Sequence, residues 1–274
     1  MKKLSKLLVA GVLALGLVGC GGSSNSGTDE KTITVGATQV PHAQILNDVV
    51  KDKLAEDGWT LEVVEFTDYV QPNTALEEGE LDANYFQTLA YMEEENKERG
   101  LHLVNVAGIH YEAMGVYSKD IKTLDELKSA SHVSIAVPND GTNELRALKL
   151  LEANGIIELV DDANESKGLA NVKDNKGVEI VELEAANITN NLTDVTAAVV
   201  NGNYALEADL ANTANTLAAE NFTTEEAAPY VNYLVVKEGS EDSEKTKALI
   251  SALQSEEVKA YVSTKYGSAV VATF

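Results

Sequence analysis

Arginine is scarce in this 274-residue chain: Arg99 and Arg146 stand against nineteen lysines. Arg146 falls in NELRALKLLEANG, whose apolar spacing is helical, with Thr142 as the expected N-cap and Gly155 as the stop. A planar guanidinium grips a carboxylate through two parallel hydrogen bonds and keeps its charge when desolvated. A position about one turn into a helix adds the favourable potential of the helix N-terminus for an anion. Arg146 is therefore a candidate carboxylate receptor, against the plainer reading of a solvated helix arginine.

A second concentration of chemistry is aromatic. The chain holds ten Tyr, four Phe and one Trp, and five of these (Phe66, Tyr69, Tyr85, Phe86, Tyr91) fall between residues 66 and 91. Rings supply apolar, polarizable walls and large flat surfaces that exclude water. Neighbours on a strand point to opposite faces, so Tyr85 cannot share a wall with Phe86. Tyr85 and Phe66 read as core residues. Asn201, near the end of VTAAVVNGNY, could offer both a donor and an acceptor, or could be a turn asparagine before Gly202. Glu112 could meet an ammonium group.

Other chemistries find little support. His42, His102, His110 and His132 are scattered, without an i, i+4 pair or a cysteine partner, so no metal is expected. Asp82 reads as a turn or cap residue. No phosphate-binding glycine loop, nucleophile elbow or acid–base motif occurs, and neither a cofactor nor an enzymatic activity is expected. A surface hydrolase using a cleft carboxylate, or an adhesin, is the alternative of a different class.

The elements that position these residues form a repeat. TITVGAT, the helical run AQILNDVVKDKLAEDG, LEVVEF, the short helix QPNTALEEG and LDANYF follow one another. HVSIAV, NELRALKLLEANG, VEIVEL, the turn NITNNLTD and VTAAVVNGNY follow in the same order. Alternating strand and helix imply parallel sheets with right-handed crossovers, and such sheets take ligands at the carboxyl ends of their strands. The strand ends NYFQ and NGNY are then expected to face one cleft from opposite lobes. GVYS reads as the crossing into lobe two and PYVNYLVVKE as the return. A helical segment from Thr246 to Tyr261 is expected to pack back on lobe one. The expected division is 31–112 plus 230–274 for lobe one and 113–229 for lobe two.

The N-terminus has a basic start (Lys2, Lys3, Lys6), an apolar run from Leu7 to Val18 and a single cysteine, Cys20. Residues 1–19 read as a signal peptide. Leu17-Val18-Gly19-Cys20 resembles a bacterial lipoprotein signal, in which the cysteine is acylated with diacylglycerol and palmitate. A lone cysteine allows no internal disulfide. Residues 20–30 read as a flexible tether with a reach of ~15–20 Å. The formal charge is −23, and removal of the three signal lysines leaves 18 basic against 44 acidic residues. Such a surface repels nucleic acid and anionic headgroups.

DYVQPNTALEEGELDANYFQ, PNDGTNELRALKLLEANG, AAVVNGNYAL and PYVNYLVVKEG together resemble the methionine-binding lipoproteins of ABC importers, the MetQ/NlpA family. The similarity runs from about residue 32 to 270. It implies an α/β, two-lobed type II periplasmic-binding-protein fold with two hinge crossovers. It also implies a methionine-like amino acid in the cleft, delivery to an ABC permease and its ATPase, and a lipid anchor on the extracytoplasmic side of the cell membrane. By the same resemblance Tyr69, Phe86 and Tyr91 match the side-chain pocket, Arg146 the carboxylate contact, Asn201 a polar contact from lobe two and Asn143 a position at the same helix start. The chain has Phe86-Gln87-Thr88 where the family usually has Phe-Gln-His. Gly141 replaces a proline, and Ile188 to Leu192 replace Leu-Pro-Arg-Ser-Leu. Thr88 is a ligand candidate at its matched position. It and Asn190 motivate alternative ligands: D-methionine, a methionine-containing dipeptide or another apolar amino acid.

Overall fold

The computed structural model describes residues 31–221 and 227–274; the signal sequence, Cys20 and the tether expected at the N-terminus lie outside the described residues. Strands β1 (Thr32–Thr38), β2 (Thr60–Phe66), β3 (Ala83–Thr88) and β4 (Leu103–Glu112) come first. They are followed by β5 (Gly115–Ser118), β6 (Ser134–Pro138), the short pair β7 (Glu158–Leu159) and β8 (Val172–Asp174), and β9 (Glu179–Leu183). The chain continues through β10 (Ala197–Val200), β11 (Asn215–Ala219), β12 (Val231–Lys237) and β13 (Val270–Ala272). One sheet has the order β13-β4-β12-β3-β1-β2 and the other β11-β5-β10-β6-β9.

Each sheet carries one copy of the repeat. β1 pairs in parallel with β2 on one side and β3 on the other. β6 pairs in the same way with β9 and β10. Beyond the third strand each sheet changes sense, with β12 antiparallel to β3 and β5 antiparallel to β10. These two places are where the strand order switches, and open α/β sheets bind ligands just outside such switches.

The helices are α1 (Lys51–Glu56), α2 (Gln71–Glu78), α3 (Leu89–Arg99), α4 (Leu124–Ser129), α5 (Gly141–Ala153), α6 (Ala185–Ile188), α7 (Gly202–Glu207) and α8 (Leu210–Thr213). Ahead of α1 the chain winds in wider π-type turns over Gln39–Ala43 and Leu46–Val50. The first core gathers Ile33, Val35, Ile45, Leu46, Leu54 and Tyr85, and is closed by Leu249, Leu253, Val258 and Val262 from the C-terminal segment. The second gathers Ile135, Val137, Leu148, Leu151 and Val199. SIAVP is apolar on both faces, as a parallel strand covered on both sides requires, whereas TITVGAT carries threonines on one face and buries Ile33, Val35 and Ala37 on the other.

Three local expectations are corrected. Thr142 is not the cap of α5: Asp140 is, accepting the Asn143 amide at 2.9 Å, and Thr142 lies in the first turn, bonded to Glu94 of α3. Aspartate caps as well as threonine does, and Gly141 between them lets α3 and the turn at Glu165 approach: a Cβ there would run into the Glu94 side chain of α3 and meet the Glu165 carbonyl at 2.7 Å. The strand read over VTAAVVNGNY ends at Val200, and Gly-Asn-Tyr form the first turn of α7. The helix expected over Thr246–Tyr261 is two helices, Glu244–Leu253 and Glu256–Tyr266, each with its own serine cap, Ser243 and Ser255.

Candidate functional site

The carboxyl ends of β3 and β10 open onto one cavity, whose empty space is about 370 Å³ with the solvent at its mouth included. The first sheet and its helices contribute Tyr69, Phe86, Gln87, Thr88 and Tyr91; the second contributes Asn143, Arg146, Asn201, Gly202 and Asn203. Glu112 at the end of β4 and Asn232 on β12 complete the lining. All seven candidates singled out in the sequence therefore line one space.

The aromatic wall is built around Tyr69, in the turn before α2. Its ring lies 5.9 Å from Phe86, 5.7 Å from Tyr91 and 5.1 Å from Tyr204, which stacks on it. Phe86 reaches this wall because it alternates with Tyr85, which is wholly buried on the other face of β3. Tyr91 arrives from the first turn of α3, whose N-cap is Thr88, accepting the Tyr91 amide at 3.3 Å. The Thr88 side chain is thus committed to the helix start while it borders the cavity. Gln87 is pinned from behind by Asn73 and Asn84 through amide–amide bonds of 2.7–2.9 Å.

The polar wall belongs mostly to the second sheet. Asn143 takes a bond from Asn201 Nδ2 at 2.8 Å and gives one to Asp140 at 2.8 Å. Asn203 Oδ1 accepts the Tyr69 hydroxyl at 2.5 Å. Among the described residues, two buried atoms of this wall have no hydrogen-bond partner: Asn201 Oδ1, an acceptor, and Asn203 Nδ2, a donor. Both residues are more than nine-tenths buried, and leaving such groups unpaired costs about 1–3 kcal/mol each. A cavity bordered by one orphan acceptor and one orphan donor is suited to a ligand with both kinds of group.

Arg146 is buried and gripped side-on by Glu220, with Nε and Nη2 donating at 2.7 and 2.6 Å, while Nη2 also donates to the Glu112 carbonyl at 2.9 Å. Its guanidinium lies 4.3 Å from the Tyr230 ring centre. Burial works against its charge, but the Glu220 carboxylate outweighs that and holds its pKa above the usual value. The sequence offered no sign of Glu220, which sits in an acidic stretch like many others.

The sequence reading also scattered the histidines, and here the structure corrects it. His42 and His110 lie with ring centres 5.0 Å apart, and both face Glu112. Burial lowers the His42 pKa to about 4 and that of His110 to about 3, so both are neutral, and burial lifts Glu112 to about 7. Sixty-eight residues separate the two histidines, and only the pairing of β12 between β3 and β4 brings them together. Tyr204, Asn203 and Asn232 were likewise not singled out; the first two were hidden by reading NGNY as strand.

Bonds between the two halves run through this region. Tyr69 reaches Asn203, the Tyr204 hydroxyl donates to the Thr67 carbonyl at 3.1 Å, and the Thr142 amide donates to Glu94 at 2.8 Å. The walls of the cavity are thus tied to each other as well as to their own sheets.

Comparison with known proteins agrees with this architecture. The D-methionine-binding lipoprotein MetQ of Escherichia coli K12 is 39% identical over 249 residues, 89% of this chain and 88% of that protein. The crystal structure of a lipoprotein from Ruminococcus gnavus is 47% identical, covers 89% of this chain and all of its own, and superposes with a TM-score of 0.84. A nutrient-binding protein from Burkholderia cenocepacia, solved bound to methionine, is 38% identical with a TM-score of 0.81, over 88% of this chain and 100% of that one. The fold is that of the two-lobed periplasmic substrate-binding proteins. The NlpA lipoprotein family model matches residues 33–274, and the chain belongs to that family.

Proposed function

We propose that the protein is the lipid-anchored receptor of an ABC importer and binds methionine between two lobes, 31–112 with 230–274 and 113–229. The observation that carries this reading is the pairing, in one cavity, of an aromatic wall with a buried polar wall that has an orphan acceptor and an orphan donor. The rings of Tyr69, Phe86 and Tyr91 receive the thioether chain, and sulfur–ring contacts contribute about 0.3–1.5 kcal/mol each. Arg146, held in place by Glu220, and Asn203 Nδ2 receive the carboxylate, while Asn201 Oδ1 accepts from the ammonium. Thr88 and Asn143 act by fixing Tyr91 and Asn201. Contacts from both lobes make the ligand favour the closed arrangement, since a ligand shifts a conformational equilibrium only by its differential affinity. The closed form then docks on the permease and its ATPase.

Calorimetry with L-methionine, D-methionine, leucine and methionine-containing dipeptides tests the assignment. Tight binding of methionine with weaker binding of leucine is expected. No heat with either methionine enantiomer, against tight binding of a dipeptide, would transfer the role to the dipeptide.

The anchor is tested separately. Among the described residues no helix is long and apolar enough to cross a membrane. Cys20→Ser is expected to move the protein from the membrane to the soluble fraction after cell fractionation, because the acyl chains supply the anchorage. A variant that still sediments with membranes would contradict lipid anchoring at Cys20.

A further inference from the structure

The cavity's charges do not balance around Arg146 alone. Glu220 already balances the charge of the guanidinium, with Nη2–Oε2 at 2.6 Å, so a ligand carboxylate that Arg146 also receives brings a further negative charge into the cavity. Glu112 is different. It lines the cavity, is buried to all but 5% of its surface, and among the described residues its carboxylate is paired with no lysine or arginine side chain and meets the two neutral histidines.

The hydrogen-bond network fixes what those histidines offer. Asn232 Oδ1, a carbonyl oxygen, lies 3.0 Å from His42 Nε2, so Nε2 carries the proton and Nδ1 accepts from the Thr38 hydroxyl at 2.8 Å. His110 Nδ1 is engaged by the Tyr85 hydroxyl, and its Nε2 lies 2.6 Å from Glu112 Oε1. His110 thus aims its Nε2–H at the carboxylate oxygen, while His42 Nε2 stands 3.4 Å from the same oxygen with its proton directed to Asn232. The three donor atoms lie within 4.8 Å of one another, close enough to suggest a metal centre. Ligand atoms about 2.0–2.1 Å from one tetrahedral ion, however, sit roughly 3.3 Å apart, and 2.6 Å is the length of a hydrogen bond with its proton in place. The other oxygen, Oε2, faces Gly202 and would lie 3.0 Å from a Cβ there, next to Asn201 with its orphan acceptor.

We propose that Glu112, oriented by His42 and His110, is the receptor for the ligand's ammonium group, so that the site selects molecules with a protonated primary amine. This rests on the reading of the cavity as an amino-acid site and adds to it a group that recognises the amine. An ammonium beside Glu112 supplies the cation that the buried carboxylate otherwise lacks, and Asn201 Oδ1 completes its coordination.

A pH signature follows. Glu112 faces His42, which follows β1, its neighbour His110 on β4, Arg146 of α5 with its partner Glu220, and the neutral Asn232 of β12. Asp140, at the start of α5, is a second carboxyl that burial raises, to about 6. Glu112, at about 7, is partly protonated near neutrality. The ammonium favours the ionised form, so below pH 7 binding must expel a proton, and affinity falls as the pH falls, by at most about tenfold per unit for one proton.

The experiment is calorimetry and thermal shift on the purified protein and on Glu112→Gln, from pH 5 to 8, with the twenty amino acids and their N-acetyl derivatives. Expected for the wild type is binding of the free amino acid at least a hundredfold tighter than its N-acetyl form, with affinity falling from pH 7 to pH 5. Glu112→Gln should lose most of both effects and keep its fold, since glutamine has the same shape. The proposal is overturned if the variant keeps the amine preference and the slope, or if the wild type binds the N-acetyl form equally well or shows no amine-dependent ligand. An amino acid other than methionine that binds only with its free amine would uphold Glu112 and overturn the methionine reading.

Discussion

Arg146→Ala lowers affinity for methionine at least tenfold and also weakens the fold of the ligand-free protein. The two losses have different origins. Removal of one charge-assisted hydrogen bond to the ligand costs about 1.5–3 kcal/mol, which is roughly ten- to a hundredfold in affinity. The loss of stability arises because Glu220, 2% exposed at its side chain, would be left buried without its cation, at about 3–5 kcal/mol. The double variant Arg146→Ala/Glu220→Ala separates them. With both charges gone no charge of the pair is left buried alone, although the Met114 amide and the Tyr111 hydroxyl lose their bonds to Glu220, so denaturant melts should recover part of the lost stability, while calorimetry should show binding still weak. Full recovery of affinity in the double variant would mean that Arg146 serves only its internal ion pair and does not touch the ligand. The sequence alone could not pose this test, because it identified the arginine and gave no sign that its charge was already engaged.

That contrast shows what was legible. The order of strands and helices in each repeat could be read because TITVGAT is rich in β-branched residues and SIAVP is a short apolar run, and because Gly79, Gly100 and Gly155 close α2, α3 and α5 with positive φ. Phe86 and Asn201 could be placed at one cavity because they lie in the strand-end stretches NYFQ and NGNY, which topology sets face to face, whereas Tyr69, Thr88, Tyr91, Asn143 and Arg146 were placed there by the resemblance to the family. The Tyr85–Phe86 assignment followed from strand alternation alone, and both residues point as that rule requires. What failed to show was whatever depends on contacts between distant segments. His42 and His110 meet only because β1, β3, β12 and β4 are neighbours, an order no local pattern encodes. Asn232 comes from the return crossing, where the sequence signals a strand and not which side chain faces the cavity, and Glu220 follows β11, a strand the sequence did not signal. The misreading of NGNY has a local cause: Tyr and Asn beside a valine pair read as strand end, whereas Asn201 stops β10 after four residues and Gly202 opens a helix that carries Tyr204 onto Tyr69.

The same glycine gives the prediction that bears most directly on closure. A Cβ on Gly202 would lie 2.6 Å from Glu112 Cβ and 3.0 Å from the Ala113 carbonyl, both too close for any real side chain. Gly202 begins α7 just after β10 of the second sheet, while Glu112 ends β4 of the first, so the clash falls where the two sheets approach each other. Overpacking of this kind costs about 1–3 kcal/mol. In an open form, where α7 stands away from β4, the alanine meets nothing and also suits a helix start better than glycine does. The cost therefore falls on the closed form, and Gly202→Ala should weaken ligand binding by roughly five- to 150-fold while leaving the melting of the ligand-free protein nearly unchanged. Small-angle scattering should show the wild type contracting on ligand addition and the variant contracting only at higher concentrations. If the variant bound as tightly as the wild type, the approach of α7 to Glu112 would not belong to the ligand-bound state, and the cavity described here would not be the one that closes on the ligand.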